Sequence, residues 1–283
     1  AELASFSCMY CGTRLTKEQL AAEPPAAQEA DEDRAAYYDR AVSRLGWCIK
    51  NFGGYQKKIM RDVFFEAFET YETGCAPVIQ ELARGVAPER QTQLLGRAAA
   101  AMLDELEAGW QKKGDMEDEK IVLAIFFVPM VRKLQLPVSE EFVTLLQKKW
   151  VERYPKSPFY LGDYDSISGG FRKKFLGLCF ITTAVCQELG KPDDCEELTA
   201  FRAFRDGYLR SQPDGEALIR EYYNIAPGIV TCINTCSDRH ASYARIREEY
   251  LAPCYQDLLA GRNESCKARY VRMVRDLERE YLS

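Results

Sequence analysis

Apolar residues recur at steps of three and four along most of the chain, and this spacing constrains the fold more than any other feature. No segment beyond the first dozen residues alternates apolar and polar residues in the manner of a strand. The sequence therefore predicts an all-α protein, a bundle of about ten helices with a small N-terminal appendage. The clearest stripes are Ala35, Tyr38, Val42, Leu45 and Ile49, then Ile59, Val63, Ala67, Phe68 and Tyr71, then Leu95, Ala99, Met102, Leu106 and Trp110.

Two stretches interrupt the helical pattern. Residues 21–33 are rich in alanine, proline and acidic residues and predict a solvated linker. Residues 154–170 combine proline and glycine with aromatic residues, which predicts a loop packed onto the body. The expected order is an appendage over 1–20, the linker, a middle helical region over 34–153, the packed loop, and a C-terminal helical domain over 171–283.

Composition excludes several classes of protein. A net charge of −5 without a basic cluster argues against nucleic-acid binding. The longest apolar runs, 121–131 and 175–186, are shorter than the roughly 20 residues that a membrane-spanning helix needs. Because no leader pattern opens the sequence, we expect a cytoplasmic protein that does not bind membranes.

Cys8 and Cys11 form a Cys-x-x-Cys-Gly knuckle with Gly12. Two thiolates at this spacing can occupy adjacent corners of a zinc tetrahedron, so these cysteines are the predicted metal ligands and Zn the predicted cofactor. The other two ligands could come from a second chain, or from Cys48 with another residue. A redox pair, a disulfide and a metal-free segment are the alternatives.

The chain contains 11 cysteines. Their odd number and their positions within helical stripes argue against a complete disulfide framework. We expect most of them to be reduced and packed between helices, where cysteine behaves as a small apolar residue.

A long buried helix is predicted from Phe171 to Leu189 because no charged residue occurs between Lys174 and Glu188. In one interpretation, cysteine and threonine allow close helix packing, with each threonine hydroxyl bonded to a carbonyl one turn back. In the other, the stripe lines a pocket in which Cys179 is a nucleophile or a ligand. The stripe consists of Phe175, Cys179, Thr182, Cys186 and Leu189.

An acidic turn follows this helix. Asp194 and Glu197 predict a capped helix with Cys195 in its first turn. Four neighbouring carboxylates disfavour a thiolate at Cys195. Further along, Arg202 and Asp206 lie four residues apart, and with Arg205 they predict an ion network, with anion binding as the alternative.

These residues resemble the CFI-box domain, a family of C-terminal bacterial domains named for its Cys-Phe-Ile start. The resemblance extends from about Phe175 to the C-terminus and departs from the family at Thr182 and at residues 185–187. It implies a functional patch without an established reaction. The matching segments are Cys179-Phe180-Ile181-Thr182-Thr183-Ala184, Asp194-Cys195, Leu198, Arg202-x-x-Arg205-Asp206, Tyr222-Tyr223, Ala226-Pro227, Pro253-Cys254, and Cys266-Lys267 with Tyr270.

His240, the single histidine, follows Cys232 and Cys236 at intervals of four. On one unbroken helix, these three residues would share a face and could bind a metal. The intervening Thr235, Ser237 and Asp238 favour a turn instead.

We hold two functional hypotheses. The first is a protein-binding or assembly module that meets a protein partner or a second copy of itself, since no common catalytic motif occurs. The second is a thiol-dependent enzyme with Cys179 as nucleophile and His240 as base, with Arg202 or Arg205 binding an anionic or peptide substrate. A metal-supported reaction at the same site is a variant of the second. The candidate site cluster is Thr182, Thr183, Cys186, Arg202, Arg205 and Asp206.

Overall fold

The computed structural model describes residues 5–7, 14–16, 25–172 and 179–283. Its fold is all-α, which confirms the prediction of a multi-helix bundle. At the N-terminus, β1 (Ser5–Ser7) and β2 (Arg14–Thr16) pair in antiparallel fashion, with Phe6 opposite Leu15. Residues 8–13, which include the proposed zinc ligands Cys8 and Cys11, lie outside the described residues.

Fourteen α-helices follow in the part of the chain that is described. They are α1 (Pro25–Leu45), α2 (Trp47–Lys50), α3 (Phe64–Gly85), α4 (Gln91–Gly109), α5 (Lys113–Val122), α6 (Val128–Lys133), α7 (Ser139–Arg153), α8 (Tyr164–Arg172), α9 (Phe180–Glu188), α10 (Glu196–Ala203), α11 (Gly215–Cys236), α12 (Arg239–Ile246), α13 (Ala252–Leu259) and α14 (Asn263–Tyr281). Two short 3₁₀ turns cover Tyr55–Lys58 and Pro88–Arg90.

Three wide π turns continue helices without a break. Leu123–Phe127 joins α5 to α6, Phe204–Leu209 extends α10, and Arg247–Leu251 joins α12 to α13. Such turns occur frequently at functional sites. The one after α10 contains Arg205 and Asp206, two of the predicted site residues.

The predicted linker over 21–33 is wrong from Pro25 onward, where α1 begins. Proline is well placed at the first position of a helix, where its missing N–H has no partner to lose. The alanine and glutamate residues that follow are strong helix formers. The absence of large apolar residues in this segment therefore did not exclude a helix.

Residues 154–163 form a non-helical segment that packs onto the body of the protein. The Trp150 indole N–H donates to the Ser157 carbonyl at 2.7 Å, and the Phe159 side chain is fully buried. From Tyr164 onward the chain is helical instead, as α8. The Asp163 carboxylate accepts the Ser166 backbone N–H at 2.8 Å, which stabilises the start of that helix.

The middle and C-terminal regions share one core. Phe64 of α3 stacks on Phe171 of α8, with ring centroids 4.3 Å apart. The backbone N–H of Arg61 donates to the Asn224 carbonyl of α11 at 3.0 Å. Helix α11 is thus packed against both regions. Among the described residues, no helix is both long and apolar enough to cross a membrane.

Candidate functional site

Cys179 has non-helical backbone angles and does not lie within a long helix. Helix α8 ends at Arg172, α9 begins at Phe180, and Cys179 has the non-helical angles φ −106° and ψ 81°. The prediction of one helix from Phe171 to Leu189 is therefore wrong. Gly177 falls within that stretch, and glycine is the weakest helix former after proline, which the apolar periodicity did not reveal.

Arg205 of the π turn gathers three partners around its guanidinium group. Nε and Nη2 donate to the two Asp206 carboxylate oxygens at 2.8 Å and 2.6 Å. Nη1 donates to the Tyr223 hydroxyl at 3.0 Å and lies 3.6 Å from the Cys179 sulfur. We call Cys179, Arg205, Asp206 and Tyr223 the Cys179–Arg205 cluster. It joins the start of α9, the π turn and α11.

The protonation states in this cluster follow from burial and pairing. Burial raises the pKa of the Cys179 thiol, and the nearby Arg205 and Arg202 offset this effect only in part. The hydrogen bond with Arg205 lowers the pKa of Asp206, and the same bond raises the pKa of Arg205. Near neutral pH the cluster therefore holds a protonated thiol beside a charged guanidinium–carboxylate pair.

The buried Tyr222 and the partly buried Tyr270 complete the floor of the site. The Tyr222 hydroxyl accepts the Ile181 backbone N–H at 3.0 Å, which satisfies one of the donors at the start of α9. The Tyr270 hydroxyl lies 3.2 Å from the Thr182 hydroxyl. Burial raises the pKa of both tyrosines, so both remain neutral.

An apolar cleft opens above this floor, between α10 with its π turn, α11 and α14. Its narrow interior has a volume of about 60 Å³. Cys179 and Arg205 lie at its base, and almost all of its exposed wall is apolar. The walls are formed chiefly by Phe201, Phe204, Ile219, Tyr222, Tyr270 and Val274.

Ion pairs link α14 to α11 and to the residue before it. The Arg275 Nη2 group donates to the Glu221 carboxylate at 2.8 Å, and both residues line the cleft. Lys267 of α14 pairs with Asp214, which precedes α11, at 2.7 Å. The exposed Arg275–Glu221 pair contributes little to stability, about 0–1 kcal/mol.

His240 is held away from Cys179. Its imidazole is 80% exposed, and its Nδ1 atom lies 3.2 Å from the Glu188 carboxylate at the end of α9. Cys179 precedes the first residue of that helix, so nine residues, or about 13 Å at 1.5 Å per residue, separate it from Glu188. The structure does not form the predicted pairing of nucleophile and base.

Arg202 does not pair with Asp206, the residue four positions further on, whereas Arg205 does. Arg202 binds the Asp193 carboxylate with Nη2 at 2.9 Å from both oxygens, and Asp206 is held by Arg205. Because its carboxylate partner already occupies the guanidinium, each arginine is better suited to positioning than to binding an anionic substrate.

The threonines and the acidic turn also differ from expectation. Thr182 contacts Tyr270 in place of a carbonyl, and the buried Thr183 hydroxyl oxygen has no partner among the described residues. Cys195, and not Asp194, is the residue that precedes the first turn of α10. Glu197 binds Lys191 at 2.5 Å and does not form the predicted capping box with Asp194. The sulfur atoms of Cys195 and Cys186 lie 3.9 Å apart.

No group of three or more metal-binding side chains gathers within the described ranges. Cys232 and Cys236 end α11, Ser237 is extended, and His240 belongs to α12, so the three do not share a helix face. Cys48 is fully buried beside Cys75.

Comparison with family models, with curated proteins and with solved structures found no match to this chain. The resemblance to the CFI-box domain stays a prediction. Three of its segments nevertheless meet in space, since Cys179, Arg205 and Tyr223 form one cluster. The cleft walls were not predicted as a site, because Phe201, Ile219 and Val274 carry only the ordinary signal of buried helix positions.

Proposed function

We propose that this chain is a protein-binding module whose apolar cleft accepts one aliphatic side chain of a partner protein. The observation that carries the proposal is the form of the cleft, which is a small apolar depression with charged groups at its rim. Strong contact points in protein interfaces have this form, in which a buried apolar anchor is surrounded by a polar rim that excludes water.

The volume of the cleft limits the anchor. An interior of about 60 Å³ is well below the roughly 150 Å³ of a cavity known to take benzene. Aromatic side chains are therefore too large, and the branched end of leucine, isoleucine or valine fits better. The exposed Glu221–Arg275 ion pair provides the polar edge that surrounds such an anchor.

The chemistry of Cys179 supports binding over catalysis. Its pKa is raised by burial, so the nucleophilic thiolate is scarce near neutral pH. A general base must lie within hydrogen-bond reach of the group that it deprotonates. Within the part of the chain that the structure describes, the Cys179 sulfur has its polar contact with a guanidinium, which donates and does not accept protons.

The proposal is tested by titrating the labelled full chain with blocked amino acids and following backbone amide NMR signals. N-acetyl-leucine methylamide is expected to shift signals around Ile219 and Val274, whereas the alanine and tryptophan analogues are not. Val271→Trp, which enlarges a half-buried residue of the cleft, is expected to abolish the shifts. The matched control, Leu259→Trp, changes an exposed apolar residue elsewhere and should leave them intact.

A peptide-display selection on the immobilised chain then tests whether the ligand is a protein. Peptides that share a single aliphatic residue, and that lose binding to Val271→Trp, are expected. Blocked amino acids that bind as tightly as the best peptides would contradict a protein partner and favour a small acyl ligand. Shifts that spread away from the cleft, or that persist in Val271→Trp, would refute the site itself.

A further inference from the structure

We infer that Cys186 and Cys195 are a dithiol site that low-molecular-weight disulfides convert into an intramolecular disulfide. The two sulfur atoms lie 3.9 Å apart in the reduced structure. A disulfide bond is about 2.0 Å long, so closure requires a shift of about 1.9 Å shared between two side chains. This inference is independent of the proposed binding function.

The two thiols have the unequal exposure that a two-step exchange needs. Cys186 is 1% exposed, near the end of α9, whereas Cys195 is half-buried at the start of α10. An external disulfide therefore meets Cys195 first, and Cys186 is placed behind it to resolve the product. Two other close thiol pairs, Cys48 with Cys75 and Cys254 with Cys266, are fully buried on both members and have no such entry point.

The turn between α9 and α10 holds the thiols of Cys186 and Cys195 close together. Gly190 ends α9 with a positive φ of 67°, and the Lys191 backbone N–H donates to the Cys186 carbonyl at 2.9 Å. The Lys191 ammonium then binds the Glu197 carboxylate of α10 at 2.5 Å. Because these contacts close the same turn that the disulfide would close, little conformational entropy remains to be lost on oxidation.

The structure also reduces the electrostatic obstacle at Cys195. Of the four carboxylates around it, Asp193 is paired with Arg202 and Glu197 with Lys191. Asp194 and Glu196 are exposed beside the thiol and leave the surface acidic. A cationic disulfide should therefore reach Cys195 faster than an anionic one.

The exchange proceeds in two balanced steps. The Cys195 thiolate attacks one sulfur of the external disulfide, which breaks its S–S bond, forms a mixed disulfide and releases one thiolate. The Cys186 thiolate then attacks the Cys195 sulfur and releases the second thiolate. Two protein thiols are oxidised, one external disulfide is reduced to two thiols, and the two protein protons pass to the released thiolates.

Burial, reinforced by Cys195, raises the pKa of the Cys186 thiol to about 12. The contribution of Cys195 disappears once that residue is in a mixed disulfide. Resolution by Cys186 is therefore favoured only after Cys195 has formed the mixed disulfide.

The experiment treats the reduced full chain with cystamine, 2-hydroxyethyl disulfide or oxidised glutathione, blocks remaining thiols, and digests with a protease that cleaves after glutamate. Cleavage after Glu188 separates the two cysteines unless they are linked. We expect a Cys186–Cys195 cross-linked peptide that dithiothreitol removes. Cystamine should react roughly tenfold faster than oxidised glutathione at low salt, and added salt should narrow this ratio.

Three variants separate the outcomes. Cys186→Ala should stop at a mixed disulfide on Cys195, and Cys195→Ala, at the half-buried position, should form no cross-link. Cys254→Ala, which removes one member of a buried pair, should behave as the wild type. A wild-type chain that stops at the mixed disulfide, that does not react, or that first links the buried pairs would overturn the inference. A faster reaction with oxidised glutathione would overturn the charge argument.

Discussion

Gly228 is the position where a single added methyl group should most clearly weaken the contact between the two helical regions. It lies in α11, and a Cβ atom there would stand 1.8 Å from the carbonyl oxygen of Ile59. Ordinary contact begins at 3.4 Å, and the obstacle is backbone, which cannot rotate aside. Gly228→Ala must therefore push the segment around Ile59 away from α11.

The magnitude follows from what that displacement breaks. The backbone N–H groups of Arg61 and Asp62 donate to the carbonyl and side-chain oxygens of Asn224, each at 3.0 Å. Each hydrogen bond is worth about 0.5–1.5 kcal/mol, and overpacking costs about 1–3 kcal/mol. Alanine returns about 1 kcal/mol through its helix propensity. The expected net loss is about 3 kcal/mol of unfolding free energy.

Urea unfolding followed by far-UV circular dichroism measures this loss. Gly169→Ala is the matched control, because Gly169 is also helical and has no atom within 4 Å of the added Cβ. That variant should gain about 0.5–1 kcal/mol. Opposite signs for the two substitutions are the expected result. A Gly228→Ala chain as stable as the wild type would refute the close approach of α11 to Ile59.

Three further predictions concern charge, burial and metal. Burial raises the pKa of Cys179, Cys232 and Tyr222 above the ordinary values of 9.0 for cysteine and 10.0 for tyrosine. These groups therefore ionise in the unfolded chain before they ionise in the folded one, and the unfolding free energy should fall as the pH rises above about 9. Unfolding measured at a series of pH values tests this. Lys120→Met removes a buried ammonium that donates to Ser157 at 2.7 Å and pairs with Glu117 at 2.5 Å. This substitution should lower the unfolding free energy by about 1–3 kcal/mol. Lys156→Met, at an exposed neighbouring position, is the control and should leave the stability unchanged. Elemental analysis of the purified chain should find zinc that the double variant Cys8→Ser, Cys11→Ser lacks, and equal zinc in both proteins would contradict these ligands.

The helices were predictable because their signal is local. The stripe from Ala35 to Ile49 needs only the spacing of apolar residues, and it corresponds to α1 and α2. The non-helical conformation at Cys179 was missed because an apolar run has the same appearance in one continuous buried helix and in two shorter ones. Apolar periodicity therefore specifies which residues are buried better than where one helix stops and the next begins.

The pairing of Arg205 with Asp206 shows a second limit. The spacing of Arg202 and Asp206 predicted an ion pair across one helical turn, which presumes 3.6 residues per turn. The π turn widens the helix at this point, so adjacent side chains meet and Arg202 turns to Asp193. The apolar cleft was less predictable still, because its walls come from α10, α11 and α14, and no local pattern reports that these segments meet.

The composition of the Cys179–Arg205 cluster argues that it is more than a packing solution. Arg205 is 8% exposed, and removing a charged group from water costs several kcal/mol unless every donor is matched. An apolar side chain of similar volume would hold α10 to α11 at lower cost, as buried ion pairs replaced by apolar residues show elsewhere. The guanidinium instead fixes the Tyr223 hydroxyl and the Cys179 thiol at the base of an open cleft. We therefore propose that this costly arrangement serves the ligand of the cleft and not the stability of the fold.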